Sequence, residues 1–249
     1  MRAFFTWLLC LLLAAIALQL FFVIRIATMA WIDPGSTAFQ RSEAWHIATE
    51  GRRNGAAPWR HHLVLYEQIG NTLKRAVIAS EDAEFIYHEG VEWEAIEKAR
   101  ERNAKAEEIA ARRAADAARR GKTARPPRLR GGSTITQQLA KNLFLSGERT
   151  MLRKGQELMI AMTLELLLDK RRILEIYLNS VEWGEGVFGA EAAAQRYFGK
   201  PAARLTANEA ARLAVMLPSP KFFERKPDSP YIAGRAATIV ARMPSAELP

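Results

Sequence analysis

At 249 residues, 49% of them hydrophobic, the chain can bury one sizeable core with an accessory segment, and its single cysteine excludes a disulfide framework. The formal net charge of +9 is concentrated: residues 97–130 hold 12 Lys and Arg against 5 Asp and Glu, a local excess of +7, so the basicity belongs mostly to one segment. No Walker loop, Rossmann fingerprint, G-x-S-x-G elbow or zinc-ligand spacing occurs, which excludes the commonest nucleotide-binding and hydrolase classes.

In chain order, residues 4–24 read FFTWLLCLLLAAIALQLFFVI, 21 residues without a charge, long enough to cross a bilayer as a helix. A cleaved signal peptide ending at Ala15-Ile16-Ala17 is the rival reading, but the apolar run continues past it to Ile24, which favours a retained anchor. Cys10 lies inside this span. Asp33-Pro34-Gly35-Ser36 is a turn dividing the anchor, residues 1–33, from a soluble domain, residues 34–249. The segment through Pro58 shows little periodicity and is expected to be mostly irregular or partly helical. From Leu65 the spacing of Ile69, Leu73, Val77 and Ile78 predicts a helix leading into Ser80-Glu81-Asp82.

Residues 92–120 are rich in Ala, Glu, Lys and Arg but lack an apolar stripe beyond Trp93, Ile96 and Ile109, which predicts an exposed helix. Residues 121–130, with Pro126-Pro127, close it as a mobile basic loop, so that 91–130 form a charged insert facing solvent, acidic lipid head groups or an anionic substrate. Gly131-Gly132-Ser133-Thr134 then supplies a turn and an N-cap for a helix in which Ile135, Leu139 and Leu143 recur every four residues. Between 152 and 170, apolar residues from Leu158 to Leu168 cover nearly the whole circumference, which predicts the central buried helix. A further helix at 171–179 is followed by a tight turn at Gly184, Gly186 and Gly189 and a small-residue helix closed by Gly199. Thr206-Ala207-Asn208-Glu209 is a capping box opening a helix that Pro218 ends. Without sustained period-2 alternation, the domain is expected to be mainly α with at most a short hairpin.

Three groups of residues stand out chemically. Glu81 and Asp82 end an apolar-faced helix ahead of Phe85, His88 and Gly90; adjacent carboxylates beside apolar surface raise one pKa and favour a base, although a solvated pair is commoner. His88 has no partner spacing for a metal and reads as structural. Ser133, Thr134, Gln137, Gln138 and Lys141 gather near a helix N-terminus, where free N–H groups and the dipole favour an anion such as phosphate; a plain capped helix facing water is the alternative. Glu157 follows Arg153 by one turn on a helix that reads as buried, with Arg153 and Lys154 at the end disfavoured for cations, which marks either a site or an ordinary ion pair. Glu165, Glu175 and Glu182 read as salt-bridged or exposed.

Four stretches resemble, in order, blocks of peptidoglycan glycosyltransferase family 51, in particular its monofunctional membrane-anchored transglycosylases: SEDAEFIYHEG from Ser80, GGSTITQQLAKNLFL from Gly131, RKGQE from Arg153, and KRRILEIYLNSVEWGEGVFGAEAAAQRYFGK from Lys170. The resemblance implies a mainly α, lysozyme-like fold with a small membrane-proximal jaw subdomain. It implies lipid II, a disaccharide-pentapeptide on undecaprenyl pyrophosphate, as substrate, polymerised with inversion into β-1,4 glycan. Glu81 matches the general base and Glu157 the second essential glutamate. Lys141 and Arg149 match cations for the pyrophosphate, with Arg153 and Lys154 adding to the field, and Mg²⁺ or another divalent cation bridges it. Gln137 and Gln138 would bond substrate, Asp82 would tune Glu81 and serve as a metal ligand, and Asn179 and Glu182 would maintain the architecture. The growing glycan, membrane lipid and other cell-wall synthesis or division proteins are the implied partners, with no nucleic acid. The implied location is the bacterial inner membrane with a periplasmic domain. The charged insert and Glu92, where relatives tend to have Asp, depart from the pattern. Because no second domain follows near residue 249, polymerisation without crosslinking is expected. A lysozyme-like glycan-cleaving enzyme and a non-catalytic membrane-anchored basic scaffold are the competing readings.

Overall fold

The computed structural model describes residues 1–54, 59–121, 123, 132–145, 147–148 and 150–249. In chain order the helices are α1 (Arg2–Thr28), α2 (Ala38–Asn54), α3 (Asn71–Glu81), α4 (Trp93–Arg119), α5 (Ile135–Phe144), α6 (Met151–Leu167), α7 (Lys170–Ser180), α8 (Ala190–Phe198), α9 (Ala207–Met216), α10 (Pro220–Glu224) and α11 (Pro230–Arg242). The short strands are β1 (Arg60–His61), β2 (Glu182–Gly184) and β3 (Val187–Phe188). Most of the expected basic loop at 121–130, with Gly131 and Arg149, lies outside the described residues.

The apolar run forms α1, exposed along most of its length, with Phe22 and Ile26 buried near its end. Phe22 meets Phe144 edge-to-face at 5.2 Å, and Gln19 donates to Gln156 at 3.3 Å. Arg172 holds the exit by donating to the Met29 carbonyl and pairing with Asp33, both at 2.7 Å. The last turns of the span are therefore part of the domain core.

Two expectations about helices are corrected. The segment read as mostly irregular or partly helical is helical over most of its length as α2, opened by a reciprocal cap: the Gln40 N–H donates to Thr37 Oγ1 at 3.0 Å, and the Thr37 N–H donates to Gln40 Oε1 at 2.8 Å. Its weak apolar pattern is offset by packing against α5. The helix read as central and buried, α6, buries only Glu157, Ile160, Ala161 and Leu164. Met159, Met162 and Leu166 are 51%, 55% and 82% exposed on the side away from the core. An all-round apolar helix has two physical solutions, a protein core or a lipid-facing surface; α6 lies beside α1 and extends the apolar surface of the span.

The core is built elsewhere. α9 packs between α3 and α11, and α5 packs on α6 and α7. Leu73, Val77 and Ile78 of α3 are buried, as their spacing predicts, and Tyr177, Trp183, Phe85 and Phe188 are the largest buried side chains. Each such side chain contributes about 1.5–3 kcal/mol relative to exposure. α4 buries no residue, as its composition predicts. Gly199 closes α8 at φ +63°, and Thr206 and Glu209 cap α9 reciprocally. The expected hairpin, β2 and β3, is present, but it belongs to a three-stranded sheet of order β1-β3-β2 in which β1 runs parallel to β3. Two residues of β1 carry no periodicity, so this strand left no sequence signal.

Candidate functional site

α3 delivers Glu81 as its last residue, partly exposed to a groove, and Asp82 as the buried residue that ends the helix. The two carboxylates have different surroundings. Asp82 accepts the His88 Nε2–H at 2.9 Å and the Ile135 N–H at 2.9 Å, while His88 Nδ1 accepts the Gly90 N–H at 3.1 Å. Asp82 thus ties the end of α3 to the first free donor of α5, where a negative charge is favoured. Its oxygens face protein donors, which does not fit the expected role as a metal ligand. Among the described residues no group of three His, Cys, Asp or Glu side chains is arranged to hold a metal ion, so the donor set does not fit a divalent cation caged by the protein.

Glu81 keeps its reach into the groove. Gln138 Nε2 donates to Glu81 Oε2 at 3.0 Å, and Gln138 Oε1 accepts the Tyr177 hydroxyl at 3.0 Å, which fixes the amide. Burial raises the Glu81 pKa above the ordinary glutamate value. Hydrogen bonds from Gln138 and Ser80 oppose the shift, and the Asp82 charge adds to it. Arg235 of α11 also lowers it electrostatically; α11 carried no motif that drew attention to this residue.

α5 is capped as its sequence predicts, and the cap consumes two residues expected to face substrate. Thr134 Oγ1 donates to the Gly90 carbonyl at 2.6 Å and accepts the Gln137 N–H at 3.1 Å, while Gln137 Oε1 accepts the Thr134 N–H at 3.3 Å. Both are buried; Thr134 also lines the cavity that holds Glu81, and Gln137 lines the neighbouring one against α4. Ser133, Gln138 and Lys141 remain on the groove side, lining a cavity of about 310 Å³ together with Arg153, Lys154, Glu148 and Glu157. Glu157 is buried and bonds Arg153 Nη1 at 2.7 Å and Lys154 Nζ, so the two cations expected to be poorly placed at the start of α6 are held by one carboxylate. The cavity carries three cationic side chains against two acidic ones. Arg153 Nε is buried without a hydrogen-bond partner among the described residues. Such a donor costs about 1–3 kcal/mol unless an acceptor reaches it. Arg149 lies outside the described residues.

Glu81 lines an adjoining cavity of about 280 Å³ with Glu92, Lys98 and Arg102 of the insert. Ser133 lines both cavities, and Gln138 bonds Glu81 while lining the cationic one. The carboxylate and the cations thus belong to one continuous groove. His88 and Tyr177 position this groove from behind. His88 was legible as structural; Tyr177 carried no chemical signal of this role.

Comparison with known proteins agrees with this geometry. Residues 50–244 match the family model described as Transglycosylase. A biosynthetic peptidoglycan transglycosylase of Burkholderia thailandensis is 53% identical over 236 residues, 95% of this chain and 84% of the relative. One from Herminiimonas arsenicoxydans is 48% identical over 250 residues, 100% of this chain and 99% of the relative. One from Bordetella pertussis is 50% identical over 235 residues, 94% and 90% of the two chains.

Proposed function

From the premise that the chain belongs to the transglycosylase family and is a peptidoglycan glycosyltransferase, we propose that it polymerises lipid II, with Glu81 as the general base and the Lys141, Arg153 and Lys154 cavity as the seat of the departing diphosphate. Glu81 takes the proton of the acceptor's GlcNAc 4-hydroxyl as that oxygen attacks C1 of the donor MurNAc. The bond from C1 to the diphosphate oxygen breaks with inversion, the β-1,4 bond forms, the proton stays on Glu81 and undecaprenyl pyrophosphate leaves as an anion. A raised carboxyl pKa suits this role, since a stronger base is matched to a weakly acidic alcohol. Guanidinium and ammonium groups preset around the leaving oxygens stabilise charge as it develops.

The observation that carries this reading is the bridge made by α5: Gln138 touches Glu81, and Lys141, one turn further on, lines the cationic cavity. A glycan-cleaving enzyme would need a second carboxyl free to protonate the sugar oxygen; of the two others that line the Glu81 cavity, Asp82 is held by His88 and the start of α5, and Glu92 stands at the start of the charged insert. A divalent cation in this reading arrives with the diphosphate and is not held by Asp82. Among the described residues one helix, α1, is long and apolar enough to cross a membrane. A single-pass inner-membrane protein with the groove on the periplasmic side is the arrangement we propose, and the apolar outer face of α6 supports contact with lipid.

Purified protein incubated with labelled lipid II is expected to yield lengthening glycan strands, and Glu81→Gln to abolish them while leaving lipid II binding intact. Near-normal turnover in that variant removes Glu81 as the base; shortened strands from pre-formed glycan would make the enzyme a hydrolase.

A further inference from the structure

A third cavity, about 460 Å³, opens beside the groove, and its α4 wall has no part in the reaction described above. Its walls are Ile96, Ala99, Arg100, Asn103, Ala104 and Glu107 of α4 on one side, and Gly132, Ser133, Gln137 and Lys154 on the other. It shares Ser133 and Lys154 with the cationic cavity, and Ala99, Gly132 and Ser133 with the Glu81 cavity. A substrate lying along the groove therefore passes its mouth. Its size falls in the range of clefts that take small-molecule ligands, roughly 300–1,000 Å³.

The cavity exists because α4 is seated closely. A Cβ on Gly132 would stand 2.9 Å from the Ala95 carbonyl oxygen and 3.2 Å from the Ala99 Cβ, so glycine at 132 and alanines at 95 and 99 bring the two segments together. α4, which buries no residue, thereby becomes one wall of the substrate groove. Its chemistry is specific: Arg100 offers a planar fork matched to a carboxylate, Asn103 is an amide, and Glu107 is an acid. Glu107 sets the ligand class. A diphosphate offers acceptors alone and leaves Glu107 without a donor, whereas a peptide presents carboxylates for Arg100 and N–H donors for Glu107.

We propose that this cavity is a recognition subsite for the peptide branch of the substrate, with Arg100 holding one of its carboxylates. The proposal rests on the reading of lipid II as substrate. An Arg–carboxylate pair that remains partly exposed is worth about fivefold in apparent affinity at this kind of site.

Initial rates are measured on three lipid-diphosphate disaccharides: one with the full pentapeptide, one with its carboxylates amidated, and one without peptide. In the wild type the KM for the full substrate is expected to be about fivefold below the other two. Arg100→Ala should bring the three KM values together, Arg100→Glu should invert their order, and Arg113→Ala, on α4 but not lining the cavity, should keep the wild-type pattern. A wild type that does not discriminate, or an Arg100→Ala that weakens all three substrates alike, overturns the subsite alone. So does loss of discrimination in Arg113→Ala, because the effect would then be a general field of the insert. Failure of the wild type to polymerise any of the three overturns the lipid II reading and the subsite with it.

Discussion

Replacing Gln138 by methionine isolates the one hydrogen bond that joins the carboxylate to the rest of the groove. Gln138 Nε2 donates to Glu81 Oε2 at 3.0 Å and works against the burial that raises the Glu81 pKa. Methionine fills similar space and donates nothing. A hydrogen bond to a charged group is worth about 1.5–3 kcal/mol, and one pKa unit corresponds to about 1.4 kcal/mol, so its loss raises the pKa by roughly 1–2 units. Because Glu81 is partly exposed, water replaces some of the lost bond, and the expected shift is about 1 unit. The ionised carboxylate is the working base, so the acid limb of kcat/KM for lipid II polymerisation moves to higher pH by that amount. The position of the limb is read independently of the plateau, which separates this effect from any change in substrate contact. Tyr177→Phe removes the donor that orients the Gln138 amide and should shift the limb in the same direction by less. A limb that stays in place, or moves to lower pH, in Gln138→Met refutes the assignment of Glu81 as the titrating base under the control of Gln138.

Other variants test the frame around the site. Asp82→Asn weakens the contacts to Ile135 N–H and His88 and is expected to cost about 1–2 kcal/mol, a melting temperature lower by roughly 2–8 °C. It also removes the charge that raises the Glu81 pKa, so the acid limb should move down in pH, opposite to Gln138→Met. Glu182 is buried, and burial pushes its pKa from 4.5 up to about 8 despite Lys221 nearby. Folding therefore favours its protonated form: that stability is fully present below about pH 4.5 and is lost as pH rises through about 8. Glu182→Gln should match the wild type in acid and exceed it by on the order of a few kcal/mol above the window, read as melting temperature against pH; parallel curves would discard the argument. Deleting residues 1–20 should leave thermal stability in detergent nearly unchanged. Deleting residues 1–33 removes the buried Phe22, Ile26 and Met29 and should lower the melting temperature by on the order of 10 °C. Equal effects of the two deletions would deny α1 a share in the core.

Local chemistry was the most legible layer of the sequence. The caps at Thr134 and Thr206 and the αL glycine at 199 depend on a few adjacent residues, and each is formed where the pattern placed it. The groove was legible through Glu81, Gln138, Lys141, Arg153, Lys154 and Glu157, because unusual polar residues recur there on elements otherwise apolar. What local pattern did not carry was the identity of each partner. Asp82 reads as half of an acidic pair and is in fact the tie between two helices 53 positions apart in sequence. Arg235 reaches Glu81 only through tertiary packing of α11 on α3. α6 was misread because periodicity reports where apolar residues point and not whether protein or lipid meets them.

The burial of Phe22 and Ile26 in the catalytic core has a mechanical consequence. Set in a bilayer, a domain joined in this way cannot bob or swing as it would on a loose leash. It is left mainly with spinning about the membrane normal and sideways drift, and the mouth of its cleft rides at constant altitude over the head groups. A polymer made there would emerge at a steady angle, and with the lipid-borne monomer proposed above each encounter would be a search in two dimensions.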